Sequence, residues 1–354
     1  MATIHDVARR AGVASITVSR TLTGHAPVSA ATRARIDAAI RDLKYVPNVL
    51  ARGLKGRSTR TLGLVVTDVT NPFFTLVARG VEDAAHEAGY SVILCNSDRA
   101  PAREALYLEV LHSKQVDGLV LTPIGRREGI LQWHRERPVC LIDRTLRGLA
   151  WRKAGMDIVR ADSVEGARSV VDHLLEHGHR RIGLVNGALV ISTARDRREG
   201  YRRALAAAGV AVDPALERHG LFSFSAGEAM GRDLLAVRPR STAIFAGNPL
   251  LAIGVMAAAQ KRGLRVPDDL ALVTFDGVPQ LEVVLPFFTA AVQPAYQMGQ
   301  RAARQLLERL AWRATGEDEP GRETLFETEL MIRRSCGCRL PEGLAVAEVS
   351  AAAR

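Results

Sequence analysis

The chain predicts an α/β protein, a two-lobed, doubly wound parallel core carrying a small all-α head. From residue 61 onward, short β-branched or aliphatic runs alternate with amphipathic helical stretches, and the alternation starts again near Ser163. The first 47 residues instead carry helix caps, a glycine stop and helically spaced apolar positions. The length of 354 residues suffices for a small domain and two lobes, each with its own core.

In the head, Thr3 can cap a first helix with Asp6 answering as in a capping box, and Ile4, Val7, Ala8 and Ala11 form its apolar stripe. Gly12 ends it. After a turn at Val13 and Ala14, a second helix over Ser15 to Leu22 buries Val18 and Leu22 at i, i+4 spacing, making a helix-turn-helix. Ser29 caps a third helix, in which Ile36, Ile40 and Leu43 close the core and leave Arg33, Arg35 and Arg41 outside. The net charge of +10 is concentrated here: residues 1–60 hold eleven Lys and Arg against three Asp, a surplus of eight, leaving +2 for everything else. That is the footprint of a polyanion-binding module, because phosphate contacts supply most non-specific DNA affinity. On the second helix, Ser15, Ile16, Thr17, Ser19 and Arg20 face outward, short groups plus one guanidinium, as a major-groove reader requires.

Pro47 breaks the chain and Asn48 can cap a helix of under two turns over residues 49–55. Alone it is marginal, and Gly53 weakens it further, so it is expected to fold only when packed on a second copy against DNA.

In the core, runs at 62–67, 91–96 and 118–122 read as strands, with helices over 74–88 and 103–113 between them. The second round reads as a helix to His177, strands at 181–186, 241–246 and 270–275, and a helix over 197–208. Open α/β sheets bind ligands beyond their strand C-terminal ends. The side chains expected there are Asp68, Phe73, Thr122, Arg144, Asp162, Thr193, Arg197, Phe222, Asn248, Asp276 and Gln293, with Phe74 read as core. Guanidinium donors and carboxylate acceptors such as Arg197 and Asp276 suit a hydroxyl-rich ligand, and Phe73 and Phe222 would cover an apolar face.

Several classes are excluded. No phosphate loop, Gly-x-Ser-x-Gly elbow or His-Glu-x-x-His is present, so no enzyme is expected. The cysteines Cys95, Cys140, Cys336 and Cys338 are too few for a disulfide framework and read as reduced thiols; Cys336-Gly-Cys338 has no matching second pair. His173 and His177 share a helical face, with His179 nearby, but no third ligand is evident, so neither metal nor cofactor is expected. No apolar run reaches the roughly 18 residues a spanning helix needs, and no signal peptide is seen, which points to the cytoplasm.

The segments Thr3–Ala8, Gly12–Arg20, Val28-Ser29, Thr32-Arg33 and Tyr45–Arg52 resemble the head and hinge of the lactose repressor/purine repressor family. The likeness continues through Asn71–Phe74, Val116–Leu119, Gly178–Arg180, Gly263–Pro267, Phe275-Asp276 and Gln293-Pro294, covering residues 2 to 338. It implies a DNA-binding transcriptional regulator, a repressor, with a core similar to periplasmic sugar-binding proteins. Ser15, Ile16 and Arg20 match base-reading positions and Leu54 the minor-groove wedge; the remaining expected DNA contacts are Thr3, Thr17, Ser19, Ser29, Asn48, Ala51 and Lys55. The family match at switch-point positions favours Arg197 and Asp276 as ligand contacts over a structural ion pair. Two departures stand out. Ala14 occupies the place of a usual capping Ser, a loss of about 1 kcal/mol unless Ser15 takes over. Pro249 replaces a usual Asp, which keeps the helix start but removes a carboxylate.

The implied organisation is a head over 1–47, a hinge over 48–60, a core over 61–338 (lobe 1 about 61–160 and 293–319, lobe 2 about 161–292 and 320–338) and a disordered tail over 339–354. The implied partners are a pseudo-palindromic double-stranded operator, a sugar, sugar acid or nucleoside effector, and a second copy of the chain. Dimer against tetramer stays open, although residues 341–354 carry no heptad pattern.

Overall fold

Thr3 begins the first helix as its composition demands. In the computed structural model its hydroxyl and the Asp6 carboxylate cap each other's backbone across α1 (Ile4–Ala11), and Gly12 closes the helix at φ 64°. The structure describes residues 2–23, 28–45, 58–277, 287–316 and 319–338. They fall into two units, Met1–Thr59 and Arg60–Arg354. The expected hinge helix with Asn48, Ala51, Leu54 and Lys55, and the expected tail, lie outside the described residues.

In the first unit, α2 (Ser15–Thr23) and α3 (Ala30–Asp42, capped by the Ser29 hydroxyl) complete a three-helix core. Val7, Val18 and Ile36 are fully buried there, with Leu22, Ile40 and Leu43 packed around them, and Arg33, Arg35 and Arg41 are exposed. At the head of α2 the Ala14 carbonyl accepts from Thr17 and Val18, while the Ser15 hydroxyl turns to His5 Nδ1 of α1, 3.0 Å away. Ser15 thus ties two helices together.

The second unit begins with β1 (Thr61–Val66), α4 (Pro72–Glu87), β2 (Ser91–Asn96), α5 (Pro101–Ser113), β3 (Gly118–Leu121), α6 (Arg127–Glu136), β4 (Val139–Ile142) and β5 (Asp157–Ala161). It continues with α7 (Ser163–Glu176), β6 (Ile182–Gly187), α8 (Ser192–Ala207), β7 (Glu217–Gly220), α9 (Phe224–Ala236), β8 (Ala243–Ala246), α10 (Pro249–Gln260), β9 (Ala271–Phe275) and β10 (Thr289–Val292). It ends with α11 (Ala295–Thr315), β11 (Glu323–Phe326) and β12 (Glu329–Met331). Two six-stranded sheets result, ordered β11-β5-β4-β3-β1-β2 and β12-β10-β9-β8-β6-β7. All neighbours are parallel except β10 and β12. The strands are nearly continuous apolar runs because helices cover both faces of each sheet. Where α4 crosses α11, a Cβ on Gly80 would stand 2.1 Å from the Tyr296 carbonyl oxygen, so glycine sets that close approach.

The chain passes between the lobes three times, at 162, at 293–294 and at 327–328. The boundary expected near residue 320 therefore falls later: β11 pairs with β5 in the first lobe, because Glu323–Phe326 extends that sheet by a parallel edge strand.

Restoring a side-chain cap to α2 should stabilise the head. Ala14→Ser is expected to raise its stability by about 1 kcal/mol, read as a later head transition in denaturant unfolding; an unchanged midpoint would mean that the Ala14 turn leaves the N-terminal amides satisfied by other means.

Candidate effector cleft and DNA-reading face

The cleft is built from residues that follow strand C-terminal ends. Asp68 lies just beyond β1, Arg99 beyond β2, Asp143 and Arg144 beyond β4, Asn248 beyond β8 and Asp276 beyond β9. With Thr67, Asn71, Phe73, Phe74, Thr193, Arg197 and Phe222 they line a narrow space between the lobes. The two lobes touch across it. Arg99 Nη1 bonds Asp68 Oδ2 at 2.6 Å and the Phe222 carbonyl of the second lobe at 3.0 Å, and the Thr145 amide donates to Ser192 Oγ at 3.0 Å.

Four ionisable groups are buried at its centre: Asp143, Arg144, Arg197 and Asp276, each under 8 % exposed. Arg197, on α8, donates from Nη1 to the Gly247 carbonyl at 2.6 Å and lays its guanidinium 3.9 Å from the centre of the Phe275 ring. Its Nη2 stands 3.9 Å from Asp276 Oδ2, too far for a hydrogen bond. Asp276 instead accepts from Gln293 Nε2 through both oxygens, at 3.0 and 3.1 Å. Burial pushes the Asp276 carboxyl up to about 6 against the pull of Arg197 and Gln293. Burial likewise raises Asp143, against Arg144. Arg197 Nε and Arg144 Nη1 have no protein acceptor among the described residues, and Arg144 Nε, 3.2 Å from Asp143 Oδ2, is not aligned with it.

Eight of the eleven expected side chains meet here: Asp68, Phe73, Arg144, Thr193, Arg197, Phe222, Asn248 and Asp276. Asn248 also caps α10, accepting from the Leu251 amide at 2.9 Å, and Pro249 follows as the first helical residue. Three do not line the space. Asp162 is spent as the cap of α7, accepting from the amides of Val164 and Glu165. Thr122 is buried beyond the end of β3 with its hydroxyl unpaired, and Gln293 reaches the cleft only through Asp276. Phe74, read as core, does both: it packs in the first-lobe core and lines the space. Thr67, Asn71, Arg99 and Asp143 are additions. Asn71 caps α4 within the quoted Asn-Pro-Phe-Phe motif, so it was within reach; Arg99 and Asp143 sit in loops at φ 57° and 68°, where periodicity is silent.

On the head, Ile16 is 56 % exposed on α2, with Arg20 exposed one turn on and Ser15, Thr17 and Ser19 half-buried between them. Ile16 is thus no part of the core of the head. Thr3 and Ser29 are both exposed at helix N-termini, engaged as caps of α1 and α3.

Residues 3–48 match the family model for bacterial regulatory proteins, lacI family, and residues 171–336 match that of the periplasmic binding protein-like domain. The chain is 37 % identical over 316 residues to the ribose operon repressor of Escherichia coli (strain K12), spanning 88 % of this chain and 93 % of that protein. Among solved structures, the transcriptional regulator CelR–cellobiose complex is 33 % identical with a TM-score of 0.70, covering 95 % of this chain and 100 % of that one. The lac repressor dimer bound to operator and the anti-inducer ONPF is 25 % identical with a TM-score of 0.79, covering 95 % and 99 %. With its helix-turn-helix head and two-lobed core, the chain belongs to the lacI family of bacterial regulatory proteins and is a DNA-binding transcriptional regulator, not an enzyme.

Proposed function

We propose that this protein is a repressor that binds a pseudo-palindromic operator as a homodimer and is controlled by a sugar or sugar derivative held between its lobes. It acts in the cytoplasm, where its operator is; no helix among the described residues is long and apolar enough to cross a membrane. The observation that carries the ligand class is the pair of buried guanidinium groups, Arg144 and Arg197, with N–H donors that find no protein acceptor, beside the carboxylates of Asp143 and Asp276. Such donors are costly to leave unpaired, and a ligand rich in hydroxyls satisfies donors and acceptors together. The 3.9 Å gap between Arg197 and Asp276 supports ligand contact over a hydrogen-bonded structural pair. Phe73 and Phe222 supply apolar cover for a sugar ring. The relatives named for ribose and solved with cellobiose support the same class.

Dimerisation is supported by exposed apolar side chains on one edge of the first lobe. Leu94 lies on the edge strand β2, and Leu106 and Val110 stand one turn apart on α5. A lac repressor of the same fold is solved as a dimer on operator.

A thermal-shift panel of sugars, sugar acids and nucleosides, paired with gel shifts on random and enriched duplexes, tests the proposal. A ligand at 100 times its dissociation constant stabilises by about 2.7 kcal/mol, and that ligand should alter operator affinity. A panel without a stabilising member, or no preference for any duplex over random DNA, overturns it.

Three variants sharpen the assignment. Arg197→Ala is expected to abolish the effector response while leaving ligand-free operator binding intact; calorimetry showing unchanged effector affinity would remove Arg197 from the site. Arg20→Ala should relax preference at one symmetric base position by about 1 to 3 kcal/mol, whereas uniform weakening on all sequences would make Arg20 a phosphate contact.

Effector affinity should also depend on pH through Asp276. Its carboxyl is raised to about 6 and offers a charged acceptor at both oxygens only when ionised, so affinity should fall as pH drops through 6. For fold stability the sense is opposite. The folded value lies above the ordinary carboxylate value of about 3.9, so this group favours the fold most below that value and the contribution is lost as pH rises through 6. Calorimetry at pH 5 and 7.5 on the wild type and Asp276→Asn reads the first effect, and a pH dependence unchanged in the variant would assign it elsewhere.

A further inference from the structure

Cys336-Gly-Cys338 lacks a second ligand pair along the chain, and His173 with His177 lacks a third ligand. The fold supplies each with the other. The segment after β12 runs back over the second lobe, where Cys336 is buried in the same core as α7 and Cys338 is half-buried beside it. His173, in the last turn of α7, is buried with Nε2 3.2 Å from Cys338 Sγ. His177, the C-cap residue one turn on, sets its ring 4.4 Å from that of His173, centre to centre. One ligand atom from each of His173, His177 and Cys338 lies within 4.8 Å of the others. Cys336, two positions before Cys338, is buried in the same core, its Sγ 3.3 Å from the Arg333 carbonyl oxygen.

The orientation of His177 is a second, independent observation. Its Nδ1 lies 2.7 Å from the His173 carbonyl oxygen, which can only accept. Nδ1 therefore carries the hydrogen, and in the neutral ring Nε2 carries the lone pair. A backbone carbonyl holding one ring nitrogen so that the other is presented to a metal is the usual outer-shell arrangement of a ligating histidine.

We propose that His173, His177, Cys336 and Cys338 bind one zinc ion that clasps the C-terminal end of the core to α7. Two imidazoles and two thiols are a borderline-soft donor set, which favours zinc over the oxygen-seeking calcium and magnesium. Bonds of about 2.0–2.3 Å in a tetrahedron place ligand atoms about 3.3–3.8 Å apart, so among His173, His177 and Cys338 the 3.2 Å pair is already near its place and the widest separation closes by about 1 Å, while the Cys336 thiol turns from the Arg333 carbonyl to complete the set. The exposed His177 and half-buried Cys338 leave an entry path. Each thiol gives up its proton to solvent as the metal–sulfur bond forms, with no change of oxidation state.

The test uses the full-length chain, free of any tag, reduced, stripped with a chelator and titrated with Co²⁺. The expected result is one Co²⁺ per chain, with the visible bands of tetrahedral cobalt and a near-ultraviolet thiolate-to-metal charge-transfer band, displaced by one equivalent of Zn²⁺. His177→Gln, at an exposed position, and Cys338→Ser, at a half-buried one, should each weaken binding at least tenfold with unchanged circular dichroism. Absence of the charge-transfer band overturns the proposal. So does equal affinity in the wild type and the double variant, which keeps Cys95, Cys140 and Cys336, or a Cys336–Cys338 disulfide that on reduction takes up no metal.

Discussion

The first lobe is assembled from two stretches of chain far apart in sequence, and the Asp157 carboxylate is where they join. It is fully buried at the start of β5, accepting from Arg309 of α11 at 2.8 and 3.2 Å and from the amide and guanidinium of Arg322 at 2.8 and 2.9 Å. Burial alone would raise its pKa; the bonds from Arg309 and Arg322 outweigh that and hold it below the usual carboxylate range. Arg309 also donates to the Glu319 and Pro320 carbonyls, and both guanidiniums lie against Trp312. Removing one partner of such a buried group typically costs about 3–5 kcal/mol, because the charge left behind has lost its solvation and gained nothing.

That junction decides where everything downstream lies. It fixes α11 over the first sheet and delivers β11 beside β5, so that the Asp162 amide donates to the Phe326 carbonyl at 2.9 Å. The first and third crossings between the lobes are thereby adjacent. Gln293, in the second crossing, reaches Asp276 from there. The carboxylate at the centre of the cleft is thus oriented by a residue of the connection between lobes, a physical link between how the lobes are joined and what the cleft can grip.

The cleft balances its own charge. Two buried arginines face two buried aspartates, and two of the helix N-termini at its rim are capped, by Asn71 and Asn248, while that of α8, at Thr193, has no side-chain cap. Recognition therefore falls mainly to side chains. Guanidinium and carboxylate groups in fixed directions select for the pattern of hydroxyls on a ligand more than for its net charge.

The head was legible almost residue by residue, because caps, a glycine stop and helical spacing are local: Thr3 with Asp6, Gly12, Ser29 and the buried Val7, Val18 and Ile36 all follow from neighbours within four positions. The alternation of strands and helices was legible for the same reason. The elements α6, β4 and β5 between residues 127 and 161, β7 and α9 between 217 and 236, and β10, α11, β11 and β12 beyond 289 were not read. Of the residues expected at strand ends, Arg197 and Asp276 line the cleft, yet the same reading also nominated Asp162, which the backbone of α7 claims as a cap, and passed over Arg99 and Asp143 in left-handed loop conformations. Sequence by itself determined the elements, the basic head and the kind of residues a cleft would use. Only tertiary structure decided which of them meet, because the pairs that matter, Asp157 with Arg309 and Arg322 or His173 with Cys338, lie more than 150 residues apart and are joined by sheet order rather than by spacing.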